Sequence, residues 1–108
     1  MLNKEQLKQL LLEALETELG GVEVYKTALR CAVNDDLKQE WEEYLEQTQN
    51  HVKVVRGVFE KLKLNAEAET PGRQVVRHIG QSLVKAMEMA LKAGNAEAAQ
   101  VVAAENSG

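Results

Sequence analysis

Cysteine is nearly absent from this 108-residue chain: Cys31 stands alone, which excludes an internal disulfide and a cysteine-based zinc site. Aromatic residues are as scarce, and Trp41, Tyr25, Tyr44 and Phe59 are all there are. There is one proline, Pro71. A core of Leu, Val and Ala with so few aromatics and turn-formers fits packed helices better than a β-sandwich. No Lys/Arg block reads as a nucleic-acid patch, and basic and acidic residues are interspersed around a net charge of −4. No apolar run approaches the ~18 residues of a membrane span. The first residues, Met1 to Gln6, lack the basic region and apolar stretch of a signal peptide, so a reducing cytoplasm is the expected setting.

What remains is helical periodicity over what length suggests is a single domain, 1–108. Residues 3–33 place Leu7, Leu11, Ala14, Leu15, Val22, Tyr25, Leu29 and Ala32 at spacings of three and four. Gly20-Gly21 interrupts the pattern at roughly 1 kcal/mol per glycine, through either a kink or a close helix contact. Asn34-Asp35-Asp36 is the punctuation, with Asp35 expected as N-cap. A second helix over about 36–64 shows Leu37, Trp41, Tyr44, Leu45, Val52, Val55, Val58, Phe59 and Leu62, and so short a turn makes the pair antiparallel. Gly57 falls off that stripe and is expected inside the helix. Thr70-Pro71 restarts a helix over 71–93, with Val76, Ile79, Leu83, Met87 and Ala90 on one face, and Gly94 stops it. Asn95 caps a short fourth helix running from Ala96 to about Glu105. Met87 and Met89 are expected as core fillers. Cys31 lies off the stripe and His78 on a polar flank, so both are expected to reach solvent.

At about 100° per residue Glu18 falls in the middle of the first helix's apolar stripe. A carboxylate there is costly unless it is paired, hydrogen-bonded or on a metal. On the second helix Thr48 sits mid-stripe and His51 one turn further on. Glu18 lies sixteen residues before Asn34 and His51 sixteen after Asp35, so both are about 24 Å from the turn and level with each other. The sequence therefore places Glu18, Thr48 and His51 at one depth. Glu18 is expected to be largely buried and within reach of Thr48 or His51.

Glu18-Leu-x-x-Val-x-x-Tyr25, the Asn34-Asp35 turn and Tyr44-Leu-Glu-Gln-Thr-Gln-Asn-His51 together resemble the first two helices of a ferritin-like protein. The nearest pattern is the small bacterial, stress-associated ferritin-like group. The resemblance implies an all-α antiparallel bundle in which 71–93 is a crossover helix and Ala96 opens the third bundle helix. It implies carboxylate and histidine ligands for iron or another divalent metal. Glu18 and His51 match in residue type, Thr48 stands where a bridging glutamate belongs, and Glu105 is the candidate from the last helix. Thr48 removes a charge that would hold the metal, and the fourth bundle helix of the family, with its own Glu-x-x-His, is missing. Two functions follow: a metal-binding ferritin-like protein with a degraded site, or a structural, protein-interaction module without metal. In both, the long pair's apolar faces need a cover, expected from a homodimer or from additional chain.

Overall fold

The computed structural model describes residues 3–107, and it is helical throughout, with no strand among the described residues. Helix α1 spans Lys4–Cys31, α2 Asp35–Leu62, α3 Pro71–Lys92 and α4 Ala96–Ser107. Each end has a local cause. Asn3 and Gln6 exchange side-chain-to-backbone hydrogen bonds of 2.8 and 3.0 Å in a capping box at the start of α1. Asn34, rather than the expected Asp35, caps α2: its Oδ1 accepts from the amides of Asp36 and Leu37. Asp35 and Asp36 are thereby left in the first turn, where negative charge complements the helix dipole. Thr70 caps α3 through the Arg73 amide, with Pro71 at its first position. Gly94, at φ +78°, ends the α3 segment in the left-handed conformation that glycine adopts without strain. Asn95 Oδ1 then accepts from the Ala98 amide to open α4.

The helices do not form a ring of four. Helix α1 touches all the others, whereas no Cα of α2 comes within 8 Å of one in α3 or α4. Helix α2 runs antiparallel to α1 on one side. Helix α3 runs parallel to α1 on the opposite side, where Arg73 meets Glu16 and Gly80 meets Gly20. Helix α4 returns along α3, and Asn106 Nδ2 donates to the Leu83 carbonyl at 3.2 Å. Gln100 Oε1 ties α4 to the α1–α2 turn by accepting from the Val33 and Asn34 amides, both at 2.7 Å.

The two adjacent glycines resolve into close helix contacts on two sides. Gly20 faces α3, where a Cβ would stand 3.9 Å from the Gly80 Cα. Gly21 faces α2, where a Cβ would stand 3.1 Å from the Thr48 Cγ2. Successive residues point about 100° apart on a helix, so a glycine pair lets α1 be approached by two neighbours at one level. Above this waist Val24, Ala28, Cys31, Trp41, Met87, Ala99 and Ala103 form one buried cluster. Below it Leu12, Leu15 and Phe59 form another, closed by Leu64, Ala66 and Ala68 of the α2–α3 connection. Cys31 is thus only 2% exposed, against the expectation, because α3 and α4 cover that side of α1. Met89 goes the other way at 63% exposed, since Met87 is the residue that α3 turns inward. No described helix is long and apolar enough to cross a membrane.

Candidate functional site

Glu18 and His51 meet, at the depth the turn dictates: Glu18 Oε2 lies 3.4 Å from His51 Nδ1. The pair is not buried. The Glu18 side chain is 28% exposed and that of His51 57%, so the expectation of a largely buried Glu18 is corrected. The reason is the sandwich. The apolar positions of α1 serve two opposite neighbours rather than one, and Glu18 lies where the α2-facing side opens to water. Thr48 is buried, but its hydroxyl donates to the Tyr44 carbonyl at 2.7 Å and its methyl packs toward Gly21. It acts as a packing residue between α1 and α2. Glu105 lies exposed on α4. Among the described residues no group of three or more His, Cys, Asp or Glu is placed to hold a metal ion.

The buried carboxylate is Glu16, which pattern reading passed over. Its Oε1 accepts from Arg73 Nε at 2.7 Å and from Arg77 Nη2 at 3.0 Å. Arg73 is 3% exposed, and its Nη1 also donates to the carbonyls of Ala66 and Ala68. Arg77 continues the chain of charges to Glu69 with two bonds, at 2.7 and 3.2 Å. Burial pushes the Glu16 carboxyl up, but hydrogen bonds and charge from Arg73 and Arg77 outweigh it and hold the group below the ordinary range. Every group in this cluster is matched to a partner within the chain. It therefore pins α3 and the 63–70 connection to α1. Burial likewise raises the Cys31 thiol, which makes it a poor nucleophile.

A third feature emerges when α1 is followed along one line. Leu7, Leu10, Ala14, Thr17, Gly21, Val24, Ala28 and Cys31 recur at alternating spacings of three and four, the heptad seam by which helices pack lengthwise. The upper part, Val24, Ala28 and Cys31, is buried in the cluster that includes Ala99 and Ala103 of α4. The lower part is bare: Leu10 is 52% exposed, and Ala14 and Thr17 are exposed as well. Where α4 stops, a cleft of about 380 Å³ opens between α1 and α3, lined by Thr17, Gly21, Tyr25, Ile79, Leu83 and Asn106. Ile79 on its wall is 55% exposed.

Comparison with protein-family models, with curated proteins and with solved structures gives no match to the chain. The functional reading therefore stands on this geometry.

Proposed function

We propose that the chain is a helical interaction module whose working surface is the open lower half of the α1 seam with its α3 wall. The supporting observation is that one heptad seam is buried at Val24, Ala28 and Cys31 and exposed at Leu10, Ala14 and Thr17. Burying a Leu or Ile in full is worth about 1.5–3 kcal/mol, and Leu10 and Ile79, at different levels of this surface, remain 52% and 55% exposed on a chain that is 28% charged. Leu10→Glu and Ile79→Glu test the reading. Both positions are solvent-exposed in the isolated chain, so the thermal midpoint at low protein concentration should barely move. Binding of an apolar dye, and association measured by sedimentation velocity, should each weaken about tenfold or more. Dye binding and association that are the same in both variants as in wild type would refute it.

A second reading follows the ferritin-like resemblance, with Glu18 and His51 as part of a site for iron or another divalent cation. The 3.4 Å approach of these two groups favours it. Binding would require ionised Glu18 and neutral His51, so affinity should fall with acid. Aerobic Fe²⁺ titration of wild type and Glu18→Ala is decisive, because equal and negligible uptake and oxidation by both would end this reading.

A further inference from the structure

We infer that the occupant of the open seam is the α1 helix of a second copy of this chain, laid antiparallel across a two-fold axis near residue 12. This rests on the interaction-module reading and names its partner. Three observations lead to it.

The first is continuity with an interface the fold already contains. The bare residues prolong the line that α4 covers, and α4 runs antiparallel to α1 along that line. A helix in the same direction would continue that packing along the remainder.

The second is self-complementarity. Setting Leu10 of one copy opposite Ala14 of the other places Leu7 opposite Thr17, and the two-fold repeats both pairings. Each large side chain then meets a small one, the arrangement that lets two helix backbones approach closely. The flanking Glu18 falls opposite the second copy's Gln6 rather than another acid. In this register Asn3 of the second copy lies opposite Gly21, one step short of Val24, where α4 begins to cover the seam. The second helix therefore approaches the end of α4, whose Asn106 lines the same cleft as Thr17 and Gly21.

The third is area. The chain exposes 7121 Å², against about 6,000 Å² for a compact monomer of its mass. The surplus of about 1,100 Å² exceeds the ~800 Å² that each partner of a standard-sized interface buries. The radius of gyration, 15.7 Å, is likewise larger than the ~13 Å of a compact chain of this length.

The test is site-directed cross-linking of the full chain. Leu10→Cys and Ala14→Cys are made separately, checked for helix content, and oxidised mildly alone and as an equimolar mixture. The mixture should give at least fivefold more covalent dimer than either variant alone. Position 10 faces position 14, whereas two copies of position 10 are offset by about 6 Å along the helix as well as across it, beyond disulfide reach. Cys31, 2% exposed, is shielded. Leu7→Cys mixed with Thr17→Cys should behave in the same way. Equal cross-linking in mixture and singles, from a protein that sediments as a dimer, would overturn this pairing and leave the interaction-module reading in place. Wild type sedimenting as a monomer up to about 100 µM, while still binding apolar dye at the seam, would overturn the second copy as occupant.

Discussion

Replacing Glu16 by leucine should be among the most damaging single changes on α1. The guanidinium of Arg73 sits 3% exposed with one carboxylate against it. Glu16→Leu leaves that cation with the carbonyls of Ala66 and Ala68 alone and its Nε without an acceptor. An uncompensated buried charge of this kind costs about 3–5 kcal/mol, out of a total stability on the order of 5–15 kcal/mol. The double change Glu16→Leu with Arg73→Met removes both charges and should cost less than Glu16→Leu alone, the remaining loss coming from the two carbonyls. The pH dependence follows from the lowered carboxyl of Glu16. A depressed native pKa adds stability that is present in full above the unfolded value, about 4.3, and is lost as pH falls through the native one. Urea unfolding followed by circular dichroism at pH 7 and pH 3 would measure both effects. Wild type should lose more stability between the two than the double variant. A cost below about 1 kcal/mol for Glu16→Leu at pH 7, or equal pH dependence in wild type and double variant, would refute the reasoning.

Gly57 lies mid-α2 with nothing within 4 Å of an added Cβ, so Gly57→Ala should stabilise by about 1 kcal/mol in the same assay. Gly21→Ala gains as much in helix propensity but brings its Cβ to 3.1 Å from Thr48 Cγ2, so it should be neutral or destabilising. Thr48→Ser, which removes that methyl, should convert it to a net gain, a non-additivity that a double-mutant cycle reads directly. Lys63 holds φ 56° at the end of α2, and Lys63→Gly should raise stability by roughly 0.5–1 kcal/mol. Gly94→Ala, at φ +78°, should lower it by a similar amount.

Local chemistry made the helix ends legible. Thr70-Pro71, Gly94 and Asn95 each act within a few residues of their own position, and the observed boundaries fall within about two residues of those expected. The level of Glu18 with His51 was legible for a related reason: a short turn fixes the register of an antiparallel pair, so counting from it places both. Burial was harder to read. A single helical-wheel stripe assumes one partner, but α1 has α2 on one side and α3 on the other. Averaging two faces put Glu18 at a centre that does not exist and left Glu16 unnoticed, although Gly20, Thr27 and Cys31 share its side of the helix and hint at close packing there. The inward turn of Met87 and the exposure of Ile79 and Met89 depend on how α3 is rotated against α1, which the Gly20–Gly80 contact sets and periodicity alone leaves open.

The glycine waist also divides the core. On α1, Glu16 is the last buried residue of the lower half and Val24 the first of the upper half, with none buried between. Between the Leu12–Leu15–Phe59 cluster and the Trp41–Met87 cluster lie the close approach of Gly20 to Gly80 and the packing of the Thr48 methyl toward Gly21. A second copy's helix lying in the open seam would end at this gap, and its burial would add to the lower half of α1. Association and folding should then be linked: the thermal midpoint should rise with protein concentration, as it does for any equilibrium in which only the folded form binds. Leu10→Glu should flatten that rise while leaving the low-concentration midpoint near its wild-type value, since Leu10 is 52% exposed in the single chain. A wild-type midpoint that stays constant from about 2 to 200 µM would refute the linkage of association to folding.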